Sequence, residues 1–294
     1  MTEGFATFVF RFAMGVMVAL LSVGANAAVW NIKYPRPIEE RDHRHEYPLE
    51  LLKLALSKTG VNYELNASDR ILVSSKAVRQ LRENREVNVV WTMTDLNRED
   101  ELLPIRIPLA KGLIGLRVFM TRQDKIADIG DMSQLSDLHK LKVIQGADWP
   151  DTKILQANGF HIFPIGQFTE GFDALVAMQG DIYPRSVIEV EAELNIRGLD
   201  PDIVLEPTFA LYYPTAMYFF VNKSNPTLAR LIETGMERAI ADGSFEQLFQ
   251  QTYADTLARL NIDKRTVFTL ENPLLSNDTP LDIQNYWFVP PNAK

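Results

Sequence analysis

The stretch that most constrains this chain is residues 91–121, WTMTDLNREDELLPIRIPLAKGLIGLRVFMT. It opens at the end of an apolar strand, 87–92, and passes through a polar turn into a charged segment that holds Arg98. An apolar run at 102–109 follows, interrupted by Pro104 and Pro108. Each proline removes a backbone donor, so this run cannot continue as a central strand or a regular helix. Lys111 and Gly112 come next, and a second apolar strand covers 113–120. A chain with this order leaves one lobe and enters another, and the cleft beside the crossing is the natural place for a ligand.

Strand and helix signals alternate on both sides of the crossing. Before it, strands are predicted at 29–33, 61–65 and 87–92. A helix over 47–58 places Leu51, Leu52, Ala55 and Leu56 at helical spacing and closes at Gly60, and a second helix starts at Ser74 or Ser75. After it, strands at 142–145, 160–164, 181–183 and 202–206 alternate with helices at 135–141, 151–157, 168–178 and 186–194. A return crossover is predicted at 207–214, then a strand at 216–221. A helix capped by Asn225 runs to 240, and another covers 245–260. This alternation predicts a parallel α/β sheet. The tail beyond 261 holds one strand-like run, 265–270, and is otherwise rich in Asn, Pro and Asp.

The net charge of −8 argues against nucleic acid or an anionic membrane surface as partner. The chain has no cysteine, which removes disulfides, thiolate metal sites, a cysteine nucleophile and a lipid-modified N-terminal cysteine. Arg11, the apolar run 12–24 and Ala25-Asn26-Ala27-Ala28 form the pattern of a secretory signal peptide cleaved after Ala27. The alternative is an uncleaved anchor. Cleavage leaves a periplasmic chain without a lipid anchor and without a further membrane span. There is no HExxH, GxSxG, P-loop or GxGxxG motif. Asp42-His43-Arg44-His45 is read as a solvated loop rather than a metal site, so neither cofactor nor metal is expected.

Five segments in order carry a resemblance. They are Tyr34-Pro35-Arg36-Pro37 after the first strand, Thr92-Met93-Thr94 followed by Arg98-Glu99, LHKLKVIQG at 138–146, Gly180-Asp181, and Ala241-Asp242-Gly243-Ser244-Phe245 followed by Tyr253. Over 29–253 their order and spacing resemble the type II periplasmic solute-binding proteins, specifically the family that binds polar amino acids for ABC transporters (family 3). The resemblance implies a two-lobed α/β periplasmic binding protein-like II fold, with a hinge of two crossovers and a ligand cleft between the lobes. The boundaries it implies are a signal peptide at 1–27, a first lobe at 28–111 continued at 211–260, a second lobe at 112–210, and an extension at 261–294. The tail lies outside the resemblance.

The expected ligand residues are Tyr34, Trp91, Thr92, Thr94, Arg98, Lys111, Asp148, Trp149, Thr152, Tyr183, Arg185 and Ser186. The resemblance assigns Arg98 to a ligand carboxylate, which its planar fork suits. The other reading pairs it with Asp95 or Glu99. Where the family holds a carboxylate on a helix N-terminus, this chain has Asp148, Trp149, Pro150, Asp151 and Thr152. An acidic cap there opposes a second anion, and proline removes a donor. Trp149 either stacks on a flat or sugar-like ligand or packs between lobes. The family's amine-binding carboxylate is replaced by Ser186, preceded by Arg185, which favours an acidic ligand over an ordinary amino acid. The alternative makes Arg185 an exposed helix-start residue. Tyr34, Trp91, Lys111, Tyr212 and Tyr213 fall at strand ends or crossovers, where clefts of this kind are built.

The leading expectation is a non-catalytic, extracytoplasmic protein that captures a small polar or acidic molecule by lobe closure. It would deliver that ligand to an ABC transporter permease or a membrane sensor. The alternatives are a dehydratase-like enzyme using Asp148, Asp151 or Glu189, and an interaction protein with a non-functional cleft.

Overall fold

The structure, a computed structural model, describes residues 28–36, 45–195 and 200–293. The expected signal peptide and residues 42–44 of the histidine-containing loop lie outside the described residues. Strand β1 (Trp30–Arg36) leads to helix α1 (Glu46–Ser57), β2 (Tyr63–Ile71), α2 (Ser74–Arg82), β3 (Val90–Met93), α3 (Leu96–Glu101) and β4 (Leu103–Ile105). Then come β5 (Leu116–Arg122), three short helical segments, β6 (Lys142–Gly146), α4 (Pro150–Ala157) and β7 (His161–Ile165). Next are α5 (Glu170–Val176), β8 (Ile182–Ser186), α6 (Val190–Leu194) and β9 (Ile203–Leu205). Last come β10 (Phe209–Tyr212), β11 (Met217–Val221), α7 (Pro226–Ala241), α8 (Ser244–Arg259) and β12 (Thr266–Thr269).

Local chemistry explains the longer helices. The apolar stripe of α1, Leu51, Leu52, Ala55 and Leu56, is fully buried. Asn225 accepts a hydrogen bond from the Leu228 amide at 3.2 Å while Pro226 occupies the first turn of α7.

Two lobes result. The first is built on the parallel pair β1-β2 and the antiparallel sheet β3-β11-β4. The side chain of Asn88 ties them together, accepting from the Lys33 amide at 2.8 Å and donating to the Asn31 carbonyl at 2.8 Å. The second lobe is built on a seven-stranded sheet in the order β12-β10-β5-β8-β6-β7, with β9 also on β5.

The sheets are mixed rather than parallel throughout. β6 runs parallel to β7 and β8, but β5 is antiparallel to β8, β9 and β10. β5 and β11 are the strands that enter a sheet from the other lobe. They arrive without the helical crossover that obliges a strand to run parallel to its predecessor. Three other expectations shift. β1 continues through Tyr34, Pro35 and Arg36, with a register irregularity around the proline. Residues 186–189 are not helical, and α6 covers only Val190–Leu194. β10 lies inside the stretch expected as the return crossover and is hydrogen-bonded into the second sheet.

The two crossings touch. The Tyr213 amide donates to the Gly115 carbonyl at 3.2 Å. A Cβ on Gly115 would lie 2.1 Å from the Tyr213 carbonyl oxygen, so only glycine lets the outgoing and returning chains approach this closely.

The tail folds back on both lobes. β12 pairs parallel to β10 on the edge of the second sheet, and Asn158 exchanges two hydrogen bonds with the backbone of Glu271. Farther on, Asn272 donates to the Pro214 carbonyl of the return crossing at 2.9 Å. Asp278 pairs with Arg106 at 3.1 Å, and the Phe288 amide donates to the Lys111 carbonyl at 2.8 Å. Trp287 is buried with Tyr218, Phe220 and Leu81 in a cluster of the first lobe.

Candidate ligand-binding cleft

One wall of the cleft comes from the first lobe. β3 presents Trp91 and Thr92 at its end. The Trp91 indole is stacked near Tyr34, with ring centres 6.0 Å apart and planes 30° apart, and meets Phe219 edge-on at 6.2 Å. Asp95 caps α3 by accepting from the Arg98 amide at 2.8 Å. The Arg98 guanidinium folds back onto the same aspartate and donates to the Met93 carbonyl at 3.1 Å.

The other wall comes from the second lobe. The chain turns tightly after β6, with the Trp149 amide donating to the Gly146 carbonyl at 3.1 Å, and α4 begins at Pro150. Trp149, Asp151, Arg117 of β5, Arg185 of β8 and Glu189 face the same space. Together the two walls enclose a cavity of about 310 Å³. Val73 and Ala77 of the first lobe and Ile114 of the crossing add apolar surface. A second cavity of about 310 Å³ shares Glu189 and Met217 with it.

Beneath the second wall lies an ionic network. Arg117 pairs with Asp151 at 2.5 Å, and the Tyr213 hydroxyl donates to the same carboxylate oxygen. Arg185 donates twice to Glu193, at 2.7 and 2.5 Å. Glu189 stands 3.4 Å from Arg117 and 3.3 Å from Arg185, between the two. Both guanidinium side chains are about 3% exposed, so their charge is sustained by these carboxylates rather than by water. Burial alone would lower the pKa of Arg185, but the fields of Glu193 and Glu189 raise it well above its ordinary value. Burial raises the Tyr213 hydroxyl far above the usual phenol range, opposed by Arg117 and helped by Asp151, so it remains a donor.

The expected ligand residues divide. Trp91, Thr92, Arg98, Trp149 and Arg185 line the cavity. Tyr34 backs Trp91. Five others have their polar groups engaged elsewhere. Thr94 donates to Glu99 at 2.6 Å, and Lys111 donates to Glu246 at 2.7 Å. Thr152 donates to the Gly146 carbonyl at 2.6 Å, Tyr183 to the Phe168 carbonyl at 3.0 Å and Ser186 to the Leu113 carbonyl at 3.0 Å. Asp148 is exposed in the turn. Arg185 is not the exposed helix-start residue of the alternative reading. It is a strand residue whose fork is already filled by Glu193, because α6 starts later than the helical pattern indicates. Arg98 takes Asp95 as its partner, one of the two outcomes open in sequence.

Sequence reasoning missed Arg117 and Glu193. Arg117 had a visible signal, a lone charge inside the apolar run 113–120, which marks a buried ion pair. Glu193 had none, since its role depends on how α6 folds back over β8. Among the described residues no group of three or more His, Cys, Asp or Glu is placed to hold a metal ion, and no helix is long and apolar enough to cross a membrane.

No protein-family model matches the sequence, and no curated protein matches it. Solved structures do match in shape. One is a histidine kinase sensor domain with similarity to periplasmic binding proteins, 16% identical, with a TM-score of 0.55 over 76% of this chain and 96% of that one. Another is a probable amino-acid ABC transporter extracellular-binding protein from Bacillus subtilis, 18% identical, with a TM-score of 0.53 over 78% and 99%. A third is an ancestral amino acid-binding protein described as a precursor of cyclohexadienyl dehydratase, 12% identical, with a TM-score of 0.53 over 76% and 95%. At these identities the shared property is the fold. The chain has the two-lobed α/β fold of the periplasmic binding proteins.

Proposed function

We propose that this protein is an extracytoplasmic solute-binding protein that closes its lobes over a small polar molecule and presents the closed form to a transporter or a membrane sensor. The observation that carries the reading is the cavity of about 310 Å³ to which both lobes contribute an indole and charged groups, and the first lobe hydroxyls. That size and mixture suit a small ligand, and a cleft beside paired crossings suits hinge closure. Neighbours of this shape include both a transporter-associated binding protein and a sensor domain, so both outputs fit the scaffold. The signal-peptide pattern at 1–27 and the binding-protein scaffold support an extracytoplasmic location.

The test is a thermal-shift screen of residues 28–294 against amino acids, carboxylic acids, sugars, peptides and ring compounds, with the hit recovered and weighed afterwards. A compound that raises the midpoint and returns unchanged supports binding. Stabilisation grows with concentration by mass action, reaching about 2.7 kcal/mol at a hundredfold excess over Kd. A compound that returns chemically altered would favour the enzymatic reading instead. That reading draws on Asp151 and Glu189, the two carboxylates that line the cavity among the described residues, and on the dehydratase-precursor neighbour. No stabilisation by any class would overturn the proposal.

A further inference from the structure

The cleft carries one indole from each lobe, and each is braced from behind. Trp149 lines the cavity although it is half-buried. A Cβ added to Gly146 would fall 2.4 Å from the fused-ring carbons of Trp149, so the indole lies directly against the glycine backbone. The Arg185 guanidinium carbon is 4.8 Å from the same ring, in the range of a cation–π contact. That guanidinium cannot drift, because Glu193 holds it through two hydrogen bonds. It also stands 5.1 Å from the Tyr183 ring, which closes the other side. On the first lobe Trp91 lines the same cavity, with Tyr34 stacked near it and Phe219 against its edge. His45, which lines the same cavity, also meets Trp91 edge-on at 5.4 Å.

Resting on the binding-protein reading, we infer that the ligand is a planar ring compound with polar substituents, held between Trp91 and Trp149 on closure. Arg185 acts as the positioning residue for Trp149. Flat rings gain from offset stacking on an indole face, and a saturated ring cannot present that face. Thr92 and Asp151 line the same cavity and supply polar contacts to the ring's substituents. Arg185, which sequence alone directs toward a ligand carboxylate, is instead committed within the protein and sets the tilt of the wall. Gly146 has a matching role under the same indole, since any side chain there would push the ring off its seat.

The experiment uses residues 28–294 and planar compounds paired with ring-saturated counterparts of equal charge. Benzamide with cyclohexanecarboxamide, benzoate with cyclohexanecarboxylate, and uracil with dihydrouracil are three such pairs. Aliphatic amino acids and sugars form the comparison set, and affinity is read by thermal shift and calorimetry. The expected result is that planar members bind roughly tenfold or more tightly than their partners, two stacked faces each contributing within the usual range. Trp149→Leu and Trp91→Leu should each remove the preference. Gly146→Ala should remove it too while changing the near-ultraviolet circular dichroism of tryptophan, a signature of a displaced ring rather than of lost stability. Saturated or acyclic compounds binding as well as planar ones would overturn the inference and leave the binding-protein reading intact. Silence from every class would overturn both.

Discussion

Arg185 lines the cleft, yet its guanidinium donates twice to Glu193. Its charge sits on a buried strand, and its partner Glu193 is just as buried. Removing one member of such a pair leaves an uncompensated charge, so Arg185→Ala should cost about 3–5 kcal/mol in chemical denaturation. The double replacement Arg185→Met with Glu193→Leu should cost far less, because no charge is stranded. Equal losses in the two variants would contradict this account of the pair. A second residue-level expectation concerns Asp242. Its hydrogen bonds from Lys58 and Ser244 hold its carboxyl down at about 2, against an ordinary 3.8. A carboxylate depressed in the folded state adds stability above pH 3.8 and loses it as pH falls toward 2. A proton titration by nuclear magnetic resonance should place Asp242 there, and Lys58→Ala should move it up toward 3.8. Sequence legibility at this scale is uneven. The cleft aromatics Trp91 and Trp149 were visible as large rings at strand and helix ends. The partners of the arginines were not, because Asp151 and Glu193 reach them through turns that no periodicity encodes.

At the scale of elements, the strands and helices follow their patterns and the crossings follow their glycines and prolines. Gly115 is where the outgoing and returning chains pass in contact. Gly115→Ala should destabilise the fold by roughly 1–3 kcal/mol, the usual cost of overpacking, unless the Tyr213 backbone moves away. If it moves, Tyr213 shifts with it, and its bond to Asp151 under the cleft should weaken. Urea denaturation and the Tyr213 hydroxyl resonance would check both outcomes. The alternation of strand and helix signals predicted the α/β class, and the boundaries of α1, α7 and α8 follow their caps and stripes. Strand direction was the part that periodicity missed. β5 and β11 read like any apolar strand, yet each enters its sheet from the opposite lobe and so runs antiparallel. The placement of β12 was also hidden. Its run of four residues looks like an isolated strand in the tail and becomes legible only beside β10.

The whole molecule is two lobes joined by two touching crossings and crossed by the tail. That tail binds the second sheet through β12, the return crossing through Asn272, the outgoing crossing through Phe288 and the first lobe through Trp287. At its end Ala293 comes back beside Val267 of β12. A segment fastened to both lobes and both crossings is expected to resist their relative motion and to limit how far the cleft opens. Trp287→Ala should lower stability by about 3–5 kcal/mol, as for other buried large aromatics, and should widen the range of lobe separations. The measurement that bears most directly on the central claim is that separation. The chain has no native cysteine, so Lys76→Cys on α2 and Lys153→Cys on α4 can each carry a spin label at an exposed site flanking the cleft. The distance distribution should shorten and narrow when the pooled ring compounds are added, and should stay unchanged in the Trp149→Leu background. A distribution that ignores every solute pool would contradict the account of a cleft that closes on its ligand.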